Sequence, residues 1–325
     1  MDEQPRDKNL SDFLEYQLPI FDEILAKEHT PLRQRPLAAT MDFVTYCVVE
    51  IEGDSKENAL EKSWFKFLYQ QVAEWYSQRY GDAMKADTKW SALGLILIYG
   101  TPFRIEIPLS VAGKVESPTK RWFCLPNEVL EEENVFDWVV NPPNFKKMSA
   151  AELSWVETDL RVIANSIRSL KINLMTAIKE GEGLRISAGS IPSHIEKSAN
   201  DILSLSRGGI SSSVWELHLA MEKSLKLLIR QKGCDPPNIH DLVELCNKAN
   251  QMDGVSIDMG ALRNLPSHHD AIRHRYGEAD ALTVDQAVLN YKSSLTIVRE
   301  ITAVLSRKIV MKNAKLLIQK PPWVA

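Results

Sequence analysis

Residues 267–277 read S-H-H-D-A-I-R-H-R-Y-G, setting His268, His269, Arg273, His274, Arg275 and Tyr276 against a single carboxylate, Asp270. Histidine exchanges a proton near neutral pH and arginine is a permanent planar cation, so this mixture suits chemistry at a bound anion. Just upstream, Arg263-Asn264-Leu265-Pro266-Ser267-His268 adds a further arginine and amide. Six of the seven histidines, all but His29, fall in the last 140 or so residues, where they can gather. Residues 191–310 carry 14 Lys/Arg against 14 Asp/Glu, so the bias around 268–275 is local and marks one anion-binding spot. The chain as a whole is close to neutral at −4, which argues against electrostatic coating of nucleic acid or a membrane surface.

Other polar residues carry two readings each. Glu222 and Lys226 stand four apart on a helix and form either a surface ion pair or a support for the cluster. His218 falls on an apolar helix face, where a satisfied core histidine is the plainer reading, and His240 caps or packs its helix. His240-Asp241 and His269-Asp270 are also His-Asp dyads of the kind that hold metal in HD-type phosphohydrolases, although no fourth ligand follows. The expected site therefore has no metal and no cofactor. There is no phosphate-binding glycine loop, dinucleotide fingerprint, nucleophile elbow or HExxH helix anywhere in the chain. The acidic run Glu131–Glu133 reads as a solvated face.

These residues depend on elements that the apolar spacing outlines. A helix is expected over 10–27, interrupted at Pro19, then a strand over 41–53 from its β-branched and aromatic run, then a helix over 55–80. ALGLILIY and FRIEIPLSV flank Gly100-Thr101-Pro102 as a hairpin, followed by an extended RWFCLP. Ser149-Ala-Ala-Glu152 is a capping box opening a long helix that reaches Gly181. Beyond residue 193 strand signals vanish and helices follow one another, the last opening at Thr283 and running to 310. The fold class expected is α+β overall: a small α+β domain with an antiparallel sheet (1–145), a connector helix (149–182), an all-α bundle (193–310) and a basic, apolar tail (311–325) that docks on the protein.

No segment is long and apolar enough to span a membrane, and the polar start MDEQPRDKNLSD lacks the core of a secretory signal. Cys47, Cys124, Cys234 and Cys246 are scattered without metal spacing, and Cys47 and Cys246 read as buried, reduced thiols. A cytoplasmic protein is the expectation.

The helical region resembles a known family. Ala220-x-Glu222-x-x-Leu225-Lys226-x-Leu228, then Pro237-x-x-His240-x-Leu242-x-x-Leu245, then Arg273-His274-Arg275-Tyr276-Gly277 before a long apolar helix, is similar to HEPN domains. The resemblance covers roughly residues 195–310. It implies an all-helical bundle and, for many members, a metal-independent endoribonuclease acting in stress or phage defence. Such enzymes dimerise so that an R-x4–6-H motif from each copy lines one cleft. Cleavage of RNA by its own 2′-hydroxyl needs a group that moves protons near neutral pH and a cation for the charge on phosphorus.

Two registers offer these groups. Arg263–His268 matches the motif literally, with Asn264 directly after the arginine but Pro266 inside it. Arg273–Tyr276 occupies the motif's usual place before the last helix, with Tyr276 where a histidine is usual. By this resemblance the catalytic candidates are Arg263, Asn264, His268, Arg273, His274 and Tyr276. Arg275, His269 and Lys226 would bind RNA phosphate, with Glu222 and His240 in support. The alternative is a non-cleaving module that binds RNA, nucleotide or protein in a regulatory or structural role. A homodimer through the last helices is expected, because the stripe Ala287, Leu295, Val298, Ile301 and Leu305 exceeds what a short bundle buries.

Overall fold

The computed structural model describes residues 9–84, 90–179, 182–263, 265–280 and 282–319, with the side chains of Glu182, Ala261 and Arg263 outside the described set. The chain divides into two compact units, Met1–Lys89 and Trp90–Ala325.

The first unit is built from three helices, α1 (Leu10–Lys27), α2 (Arg35–Tyr46) and α3 (Ser63–Tyr80). Pro19 sits inside α1 without ending it. The strand expected over 41–53 does not form: residues 41–46 are the second half of α2, and 47–53 are turn and loop. Pro36, Ala39, Thr40, Phe43 and Val44 recur at helical spacing and are all buried, so packing on one face outweighs the β preference of the Val/Thr/Tyr run. Leu18, Phe43, Val72 and Tyr76 form the centre of this core. Asp22, 5% exposed, is held by Arg35 Nη1 at 3.1 Å and by the Tyr80 hydroxyl, so its buried charge is paired.

In the second unit, β1 (Ser91–Ile98) and β2 (Thr101–Pro108) form an antiparallel hairpin, with Ser91 opposite Pro108 and Ile98 opposite Thr101. Tyr99 and Gly100 both take positive φ, the left-handed pair that matches a two-residue turn to strand twist. β3 (Val111–Ser117) and β4 (Lys120–Leu125) follow, then α4 (Ala150–Thr176), α5 (Glu182–Leu203), α6 (Arg207–Gln231), α7 (Leu242–Asn250), the short α8 (Met259–Arg263), α9 (His268–Tyr276) and α10 (Val284–Ala303). Small antiparallel sheet and C-terminal helices thus appear as expected.

The hairpin does not close a separate domain ending near 145. Leu95, Ile96, Ile105 and Ile107 share one continuous core with Ile163 and Ile167 of α4 and with α10. Gly94 shows how close the layers are, since a Cβ there would lie 2.9 Å from Ile167 Cδ1. The capping box of Ser149 and Glu152 is present and starts α4, which ends at Thr176, short of Gly181. Glu133, read as solvated, turns inward instead. Both its oxygens receive 2.7 Å bonds from Arg168 of α4, a side chain with no exposure, whose Nε also donates to the Pro108 carbonyl.

α10 ends at Ala303, and the tail beyond it becomes β5 (Ala314–Gln319), paired antiparallel with β4. The expected apolar stripe packs inside its own chain: Ala287, Leu295, Val298 and Ile301 of α10, and Leu305 just beyond it, are each under 5% exposed. α10 lies across α6 and α4, so one chain supplies the partners that surplus apolar area was expected to seek in a second copy. Cys124 and Cys246 are buried free thiols, whereas Cys47 is only half-buried. Among the described residues no helix is long and apolar enough to cross a membrane.

Candidate functional site

Helix α6 is the backbone of the site. Ser206 caps it by accepting from the Gly209 amide, and the apolar face of Leu217, Met221, Leu225 and Leu228 anchors it in the core. Trp215, His218, Glu222 and Lys226 follow at intervals of three and four, which sets them along one side of the helix. The loop before α7 brings His240 to this side, and α9 brings His268. α9 is started by a capping box in which Ser267 accepts from the Asp270 amide and Asp270 accepts from the Ser267 amide.

Three imidazoles converge there. The rings of His268 and His240 stack with centroids 5.0 Å apart and planes 15° from parallel. His218 approaches His268 at 5.2 Å and stacks on Trp215 at 6.1 Å with an interplanar angle of 8°. His218 is 2% exposed, and its Nε2–H donates to the His240 carbonyl at 2.9 Å, which fixes its tautomer and ties the loop to α6. His240 points Nδ1 at both oxygens of Glu222, 3.1 Å each, and Lys226 donates to Glu222 Oε1 at 2.7 Å. Glu222 is 6% exposed, so the plain surface pair of the sequence reading is instead a nearly buried carboxylate shared by a lysine and a histidine.

The protonation tendencies follow from these contacts. Burial pushes the Glu222 carboxyl up, but bonds from Lys226 and His240 together outweigh it and leave the group below the usual carboxylate range. Burial lowers His218 despite the carbonyl bond, and burial followed by the neighbouring His240 lowers His268. Loss of the proton is thus favoured at His268, which stacks on a carboxylate-bound histidine. Nδ1 of His218 and Nδ1 of His268 are buried without a hydrogen-bond partner among the described residues.

The arginines divide. Arg275 lies over the Trp215 ring at 4.7 Å and over Tyr276 at 5.8 Å, presenting an exposed guanidinium at the rim of the histidine stack. Arg273 turns away and donates to the Glu278 carbonyl at 3.1 Å, closing the end of α9. His274, 7% exposed, faces the interior, its pKa lowered by burial and its Nδ1 without a partner. His269 is exposed and outside the stack. Arg263 ends α8 with its side chain outside the described residues, and Asn264 lies outside them altogether.

The structure thus brings together His268, His240, Glu222, Lys226, Arg275 and Tyr276, and leaves Arg273, His274 and His269 apart. Trp215 was missed in the sequence, although its spacing of three and seven from His218 and Glu222 marks the same face. The two His-Asp dyads do not form a metal site. Asp241 is spent capping α7 through the Glu244 amide, Asp270 is spent in the box of α9, and no three His, Cys, Asp or Glu among the described residues group to hold a metal.

Residues 197–308 match the family model described as "HEPN domain". No curated protein and no solved structure matches the chain.

Proposed function

Since residues 197–308 are a HEPN domain, we propose that this region is a metal-independent endoribonuclease in which His268 and His240 move the protons. The observation that carries the reading is the stack of His268 on His240, whose Nδ1 lies against the nearly buried Glu222 carboxylate. His268 takes the proton of the ribose 2′-hydroxyl, whose oxygen then attacks phosphorus. The 5′-oxygen leaves with a proton from His240, giving a 2′,3′-cyclic phosphate and a 5′-hydroxyl. Arg275 is the exposed cation for the phosphate, and Trp215 with Tyr276 offers faces for unstacked bases. Arg263 is the second candidate cation.

Single-stranded RNA incubated with the full chain in EDTA tests this. The expected result is cyclic-phosphate ends, with cleavage lost in His268→Ala and in His240→Ala. Undiminished cleavage by either variant overturns the assignment. Undiminished cleavage after Arg263→Ala and Arg275→Ala together removes the cations.

A second reading, a module that binds RNA or nucleotide without cutting, is favoured by one observation. Arg273, at the motif's usual place, is committed to the Glu278 carbonyl rather than to the stack. Retention of labelled RNA by the wild type without cleavage would select it. On the cleaving reading the protein acts in stress or defence in the cytoplasm, and its expression is toxic unless His268 is changed. It acts as a homodimer whose paired clefts come from the family resemblance, so light scattering that returns a monomer at all concentrations counts against that assembly.

A further inference from the structure

Away from the histidine stack, the second unit holds a cavity of about 280 Å³ between the end of the hairpin, the C-terminal half of α4 and the start of α5. That space equals about nine waters' share of liquid volume. It sits just under the usual range for small-molecule sites, roughly 300–1,000 Å³, and so admits a single-ring molecule. Its walls are mainly hydrocarbon, among them Leu109, Leu125, Ile172 and Met175. Trp90 stands at its margin with 54% of its surface exposed, an unusual cost for the largest apolar side chain and a ready platform for a planar ring.

Three cations border this space, and their bonding separates them. Arg168 is saturated by Glu133, the Pro108 carbonyl and the Glu128 carbonyl. Lys171 donates to Glu196 Oε1 at 2.7 Å. Lys179, half-buried just beyond α4, has no hydrogen bond or ion pair among the described residues. Burial holds its ammonium below the ordinary lysine value, as expected of a charge partly withdrawn from water. An apolar slot with an aromatic platform and one ammonium that has no partner among the described residues is complementary to a molecule that is hydrophobic at one end and anionic at the other.

We propose that this cavity binds a small aromatic carboxylic acid, its ring among Trp90, Leu125 and Met175 and its carboxylate on Lys179. The site shares no residue with the histidine stack, so it is a second, ligand-receiving site on the same unit. It stands whether or not the protein cuts RNA.

Phenylacetate is the probe, titrated into the full chain by calorimetry and by saturation-transfer NMR, with the neutral phenylacetamide as its partner. The wild type is expected to bind phenylacetate at least about tenfold more tightly than the amide, and Lys179→Met is expected to remove that preference. Gly189 also borders the cavity, and a Cβ built there meets no atom within 4 Å, so Gly189→Leu adds bulk at its rim without displacing the wall and is expected to weaken binding of both probes. Thermal unfolding of each variant confirms a folded chain. Wild type that binds neither probe, equal affinity for acid and amide, or unchanged phenylacetate binding in both variants overturns the proposal.

Discussion

The carboxylate of Glu222 receives His240 Nδ1 at 3.1 Å while only 6% of the glutamate is exposed. A charge so placed cannot reach a bound polynucleotide, so on the cleaving reading it acts on RNA only through the histidine it holds. Glu222→Gln should therefore lower kcat for RNA cleavage by roughly tenfold or more while leaving KM almost unchanged. Single-turnover and steady-state rates on one substrate measure the split. A rise in KM with kcat intact would show that Glu222 serves binding instead.

Arg275 should behave in the opposite way. Its guanidinium is exposed and rests on Trp215, so Arg275→Ala is expected to leave the melting temperature within about 2 °C of wild type. RNA affinity should weaken, and the slope of log affinity against log salt should shrink by about one counter-ion. Fluorescence anisotropy over a series of salt concentrations reads both quantities.

Stability should fall on mild acidification. His218, His268 and His274 all have pKa values lowered from the ordinary 6.5, chiefly by burial. The unfolded chain therefore takes up protons first as pH drops below about 6.5, and the folded state loses ground until its own lowered values are passed. The urea midpoint should be flat above about pH 7 and decline between about pH 6.5 and pH 5, before most carboxylates titrate. His218→Gln, which keeps a donor for the His240 carbonyl, should flatten that decline.

Arg168 should be the costliest surface-chemistry residue to lose, because it is not on the surface. Removing it strands Glu133 in the interior, so Arg168→Met should destabilise the second unit by about 3–5 kcal/mol. The double change Arg168→Met with Glu133→Leu should recover part of that loss. Urea unfolding of the three variants gives the coupling.

Local signals in the chain were strong enough to show the capping box at Ser149, the cap at Thr283, the helix carrying Glu222 and Lys226, a hairpin turning near Gly100, and the marker residues of the HEPN domain. These depend on neighbours within about one helical turn or one two-residue turn, and such information lies in the order of residues. Three-dimensional packing decided the rest. Residues 41–46 became helix because burial of Phe43 and Val44 on one face outweighs a modest β preference. The α10 stripe found its partners in α6 and α4, which no count of apolar residues along one helix can foresee. At the site, the sequence determined which proton-moving and cationic side chains exist and that they crowd around 268–276. Only the tertiary structure decided that His268 meets His240, that Arg275 rather than Arg273 borders the stack, and that His274 turns inward. Those choices depend on a loop and two helices distant in sequence, and on burial, which sets both the contacts and the charge each group can carry.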